Sequence, residues 1–296
     1  MRGRWSKAVI ALAVAGAATL VLAACGAQDD GRPLVVATTP LLGAVAADVV
    51  GDAAEVRVVL PEGGDPHDYQ PSARDAATIG DATVVVANGE GLEEGLDSVL
   101  DGARSDGVPV FTATEQVELL AAFGGDDPDP HVFTDPRRMA EVVLALDDAL
   151  RAEGVDVADG AERTAARLRA LDRRIEDRLA ELPAAGRRIV TGHESVTYYA
   201  DRYGLEVVAT AIPNRSTGGR VSASDIAEVA EVVEREDVPT IFTEPGTGEE
   251  AAAVIAEETG AQVVIVHTES FGPGVTSYDQ YLEDLTEALV AGLGDR

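Results

Sequence analysis

The chain of 296 residues holds a single cysteine, Cys25, so no intrachain disulfide can form and a thiolate zinc site is excluded. Aromatic residues make up only 4% of it, which argues against a strongly hydrophobic docking surface. Basic residues are also scarce: 23 Lys and Arg stand against 53 Asp and Glu, a formal net charge of −30. Such a surface repels nucleic-acid phosphates and anionic lipid headgroups, so neither is an expected partner. The acidity itself reads as solubility in an extracellular or salty setting and defines no site. No His-Glu-x-x-His or other compact hydrolase signature occurs. Apart from Ala8 to Leu22, too short for a membrane span, no long apolar run is evident. Histidine is rare too, at four residues, and three of these lie in similar short motifs.

The N-terminus carries an address. Basic Arg2, Arg4 and Lys7 precede the apolar run, which ends in Leu22-Ala23-Ala24-Cys25. That ending resembles the lipobox of bacterial lipoproteins, in which signal peptidase cuts before the cysteine and a lipid is attached to its sulfur. Residues 1–24 are therefore expected to be a lipoprotein signal peptide, Cys25 the lipidated residue, and residues 25–32, with Gln28-Asp29-Asp30-Gly31, a polar tether. The protein is then extracytoplasmic and lipid-anchored to the cell membrane.

From Pro33 onward, short β-branched runs alternate with helical patterns, which signals an α/β fold with parallel sheets. Candidate strands are Leu34–Thr38, Glu55–Leu60, Thr83–Ala87 and Pro109–Thr112, then Arg188–Thr191, Glu206–Thr210, Thr240–Thr243 and Gln262–Val266. Candidate helices are Leu41–Val50, Ser72–Ile79, Leu92–Leu100, Val196–Tyr203, Ser222–Arg235, Gly248–Glu258 and Tyr278–Leu293. Two lobes with four strands each are the economical reading. Between them Asp159–Leu182 has Ala165, Leu168, Leu171, Ile175, Leu179 and Leu182 at three- or four-residue steps, as a helix with one buried stripe requires. It reads as an inter-lobe helix about 36 Å long at 1.5 Å per residue. The expected divisions are 33–155, a linking helix within 156–184, and 185–296.

His67 lies in Gly63-Gly64-Asp65-Pro66-His67-Asp68-Tyr69, His131 in Asp129-Pro130-His131-Val132-Phe133-Thr134-Asp135-Pro136, and His193 in Ile189-Val190-Thr191-Gly192-His193-Glu194-Ser195. His67 and His193 follow candidate strands, and ligands of open α/β sheets bind beyond the carboxyl ends of strands. His131 follows the acidic loop with Asp126, Asp127 and Asp129, expected to be solvated, and precedes a helix start signalled by Thr134, Asp135 and Pro136. Neutral imidazole is a common zinc ligand, and three plus a carboxylate fill a tetrahedral shell. A fourth ligand would come from Val266-His267-Thr268-Glu269-Ser270-Phe271-Gly272, where both His267 and Glu269 are chemically suitable. Tyr198, Tyr199 and Phe271 read as core.

These motifs carry a resemblance. Pro61-Glu62-Gly63-Gly64-Asp65-Pro66-His67-Asp68-Tyr69 with Pro71 and Asp75, Asn88-Gly89-Glu90-Gly91-Leu92-Glu93, Asp129-Pro130-His131-Val132-Phe133-Thr134-Asp135-Pro136, and Gly192-His193-Glu194-Ser195 ahead of Tyr198-Tyr199-Ala200 resemble the zinc/manganese-binding lipoproteins of bacterial ABC importers, the cluster A-I or cluster 9 substrate-binding proteins. The resemblance runs from about Pro33 to the C-terminus. It implies two Rossmann-like lobes joined by one long helix, one metal ion in the cleft, and delivery to an ABC importer permease. By position it implies His67, His131 and His193 as ligands. The family's fourth is normally an Asp, and its segment aligns with Glu269-Ser270-Phe271-Gly272, placing Glu269 there ahead of His267. The chain also lacks the long His-rich loop of many zinc-specific members.

Three imidazoles and one carboxylate favour Zn2+ over Mn2+, which prefers more oxygen donors. The expected function is extracytoplasmic capture of zinc by a monomer, with a manganese-binding counterpart as the alternative. Imidazoles must lose a proton to bind, so affinity is expected to fall as pH drops through about 6.5. A zinc hydrolase using Glu194 as base and a surface adhesin are the distant alternatives. A four-ligand shell leaves no position for a reactive water, so no enzyme activity is expected.

Overall fold

A computed structural model describes residues 31–183, 186–212 and 221–294. The signal segment 1–24, Cys25 and most of the tether lie outside the described residues. Strands β1 (Leu34–Ala37), β2 (Glu55–Val58), β3 (Val84–Ala87) and β4 (Val110–Thr112) form a sheet of order β2-β1-β3-β4. Strands β5 (Arg188–Thr191), β6 (Glu206–Thr210), β7 (Thr240–Thr243) and β8 (Gln262–Ile265) repeat the pattern as β6-β5-β7-β8. Every pairing is parallel. The central strands Val35–Ala37 and Val84–Ala87 are unbroken apolar runs because helices cover both faces, whereas edge strand β2 exposes Arg57 and Val58.

In each sheet the chain departs from one central strand in opposite directions, from β1 to β2 and β3, and from β5 to β6 and β7. Such switch points leave a crevice at the carboxyl ends of neighbouring strands. The helices are α1 (Pro40–Val50), α2 (Ala73–Gly80), α3 (Asp97–Ser105), α4 (Pro136–Ala152), α5 (Gly160–Leu179), α6 (Thr197–Tyr203), α7 (Ala223–Glu236), α8 (Glu249–Thr259) and α9 (Tyr278–Gly294). Several starts are chemically explicit. Thr39 accepts from Leu42 N at α1, Asp135 accepts from Arg137 N and Arg138 N at α4, and Ser72 and Ser222 form capping boxes with Asp75 and Asp225.

Helix α5 packs against α4, α1 and α9. Its buried stripe of Ala161, Ala165, Leu168, Leu171, Ile175 and Leu179 joins one apolar cluster that also holds Val35 of β1, Leu41 of α1, Phe242 of β7 and Leu285 of α9. Each fully buried leucine there contributes about 1.5–3 kcal/mol. On its exposed side Arg167 pairs with Asp48 of α1 and, at 3.2 Å, with Asp279 of α9, while Arg174 and Arg178 reach Glu283 and Glu287, each at 2.8 Å. The helix is 20 residues long, shorter than its apolar periodicity suggested. It ends before Leu182 because Pro183 disfavours helical backbone at the residue before it. Leu182 still packs into the same cluster from the turn that follows. Segment 92–100 also differs from expectation: α3 begins only at Asp97, after a tight turn over Glu94–Leu96. The preceding backbone is wound around the Glu93 carboxylate instead, with consequences for the site.

Candidate metal centre

Four side chains from four loops meet at one point. The Nε2 atoms of His67, His131 and His193 lie 2.8, 2.9 and 3.2 Å from a single oxygen, Glu269 Oε1. The ligating atoms of these four residues all fall within 4.8 Å of one another, and the imidazole centroids are 5.5 to 5.8 Å apart. Donors on a tetrahedral ion with bonds near 2.0–2.1 Å stand about 3.3 Å apart, close to the three nitrogen-to-oxygen distances found here. His131, His193 and Glu269 are buried, and His67 is nearly so.

Each of these side chains is placed by local chemistry. His67 sits in the loop after β2, where Gly63 takes φ +72° and Asp65 Oδ1 accepts from His67 N at 2.8 Å. Tyr69 OH donates to Asp75 Oδ2 at 2.8 Å, and Asp75 also caps α2, so this loop is pinned to a helix start. His131 lies after β4. Its Nδ1 and backbone N both contact Asp129 Oδ1, at 2.7 and 2.8 Å. An ionised carboxylate only accepts, so it holds the proton on Nδ1 and leaves Nε2 for a metal. Glu93 supports the same loop at one remove. It accepts from Thr38 Oγ1, Asn88 N and Gly89 N, and Asn88 Nδ2 then donates to Pro130 O at 2.8 Å. Burial raises the Glu93 pKa against those donors. His193 follows β5 and Glu269 follows β8, so the first sheet contributes two donors and the second sheet two.

Burial by itself would push His131 toward the neutral form, but Asp129 and Glu269 outweigh it and raise its pKa to about 9. For His193 burial is likewise opposed, by Glu269 and Glu244, and the pKa lies well above the usual value. Glu269 shows the reverse balance: burial would raise its carboxyl, yet His193 and His131 hold it well below the ordinary range.

His267 is not part of this cluster. Strand β8 ends at Ile265, so residues two apart no longer share an orientation, and His267 instead lines a cavity of about 150 Å³ with Gly272, Tyr281 and Asp284. Glu194 is buried beside His193 but also outside the cluster. One expectation needs correction. Asp126 and Asp127 are exposed as a solvated loop requires, whereas Asp129 is fully buried against His131. Tyr198 and Tyr199 pack in the core as expected; Tyr198 OH also donates to Asp129 O at 2.7 Å. Glu244, 3.1 Å from His193 Nδ1, has no motif of its own. The one available signal was its place directly after a central strand of the second sheet.

The chain is 27% identical over 288 residues to the manganese-binding lipoprotein MntA of Halalkalibacterium halodurans, covering 93% of this chain and 95% of that protein. It is 30% identical over 279 residues to the zinc-binding lipoprotein AdcA of Streptococcus pneumoniae, a match that covers 87% of this chain but 54% of that longer protein. The solved structure of the periplasmic zinc-binding protein TroA from Treponema pallidum superposes with a TM-score of 0.79 at 23% identity, over 89% of this chain and 99% of that one, and shares its two-lobed fold. The model of the zinc-uptake complex component A periplasmic family matches residues 35–292, and the chain belongs to that family.

Proposed function

We propose that this protein captures a divalent transition-metal ion, zinc, outside the cytoplasm and hands it to the permease of an ABC importer. The convergence of three imidazole Nε2 atoms on one buried glutamate oxygen carries the reading. His67, His131, His193 and Glu269 are the proposed ligands, a nitrogen-rich set that the Irving–Williams order assigns to zinc ahead of manganese. Manganese is the second reading, supported by the similarity to a manganese-binding lipoprotein and by a carboxylate able to bind through both oxygens. All four donors are spent on the ion, so capture and not catalysis is the role. Anchoring through lipid on Cys25 and a monomeric state complete the proposal. The apolar cluster shared by β1, α5 and β7 favours α5 as a rigid strut, with release by loop movement and not by wide opening of the lobes.

Elemental analysis and competition titration of the full chain against zinc and manganese test this. One zinc per chain, bound in preference to manganese, is expected. Manganese outcompeting zinc would reverse the choice of ion, and uptake of neither would overturn the reading.

A further inference from the structure

We propose that Glu244 is a positioning residue that joins His193 and Glu269 into one pre-formed half of the ion site. The inference rests on the metal-binding reading above. Glu244 directly follows β7 and opens the turn Glu244-Pro245-Gly246-Thr247, in which Thr247 N donates to Glu244 O at 3.1 Å. Proline in the second position and Gly246 at φ +78° in the third are the requirements of a type II turn. Thr243 Oγ1 donates to Thr247 O at 2.6 Å and closes the turn from the strand side. The Glu244 backbone is therefore set before any ion arrives.

Its carboxylate lies beside His193 and is linked to the Glu269 segment through two hydroxyls. Glu244 Oε1 lies 3.1 Å from His193 Nδ1 and accepts from Ser195 Oγ, also at 3.1 Å. Ser195 Oγ in turn accepts from Thr268 Oγ1 at 2.8 Å, and Thr268 is the peptide neighbour of Glu269. Tyr281 OH donates to Thr268 O at 2.5 Å, which fixes that segment to α9. Glu244, Ser195 and Thr268 are buried, so water competes little for these contacts. A carboxylate within ion-pair distance of Nδ1 favours the proton on that side of the ring and so leaves Nε2 for the ion, the usual office of an outer carboxylate behind a ligating histidine. Asp129 does this for His131 from two residues away. Glu244 comes from a different strand and, through Ser195 and Thr268, also orients the loop that carries Glu269.

Zinc affinity of the full chain, read by competition with a chromophoric chelator, tests the assignment in a double-mutant cycle with Glu244→Ala, His193→Ala and both together. Glu244→Ala is expected to weaken zinc binding about 10–100-fold in the native background. It should cost less once His193 is alanine, because only the route through Ser195 and Thr268 to the Glu269 loop is then left. Thermal melting of the ion-free variants checks that each folds. Glu244→Gln keeps an acceptor oxygen without the charge, should fall between the native and alanine proteins, and carries the test if the alanine variant does not fold. Unchanged affinity in Glu244→Ala or Glu244→Gln overturns the proposal, as does an equal loss in the His193→Ala background. If the native chain takes up neither zinc nor manganese, the reading of the site itself fails. If it binds and the Glu244 variants bind equally, only the role of Glu244 fails.

Discussion

At His131 the neighbours decide how the site answers to protons. With Asp129 and Glu269 raising its pKa to about 9, the ion-free imidazole carries both protons at neutral pH. A metal needs Nε2 deprotonated, so binding below about pH 9 must expel a proton, and apparent affinity falls by about tenfold per pH unit for each proton displaced. Zinc titrations from pH 9 down to 6 should therefore weaken throughout, and calorimetry in buffers of different ionisation enthalpy should show proton release at pH 7.5. An affinity flat down to pH 7 that drops only near 6.5 would mean the carboxylates do not act on this ring. The ordinary value of about 6.5 was the only one available without the fold. The three candidate histidines were legible because His67 and His193 sit in short Gly- or Pro-bearing loops beyond strands and His131 in an Asp-Pro-His segment just before a helix start. Glu269 was legible only with His267 as its rival, since where β8 stops decides between them. Asp129 was not legible as a partner of His131, because it shares a loop with Asp126 and Asp127 and only burial separates them.

Among the elements, strands could be read almost to the residue. β5, β6 and β7 coincide with their β-branched runs, which turns interrupt on either side. Segment 92–100 could not be read this way, because Glu93 is held by a tertiary hydrogen bond from Thr38 and by local ones from Asn88 N and Gly89 N, which override helical preference. The junction of α1 with α5 was equally invisible. It depends on Gly160, where any Cβ would run into the backbone of Val49. Gly160→Ala should force α1 and α5 apart and cost about 1–3 kcal/mol, comparable to overpacking a core. Differential scanning calorimetry of the ion-free protein should show Tm lower by about 2–4 °C per kcal/mol. An unchanged Tm would mean that the two helices do not meet as closely as described.

In the whole molecule, two sheets of the same strand order present their carboxyl ends to one another, and each supplies two of the four donors. Neither lobe has a complete set of donors, so an ion held there would be held by both. The net charge of −30 surrounds this centre with a surface that attracts cations weakly, while the buried donors supply the selection. X-ray absorption at the zinc edge of the one-to-one complex tests the central claim most directly. It should show four nitrogen or oxygen neighbours at about 2.0–2.1 Å with the outer-shell scattering of three imidazoles. Two or fewer imidazoles, or six oxygen-type neighbours, would contradict a site built by His67, His131, His193 and Glu269.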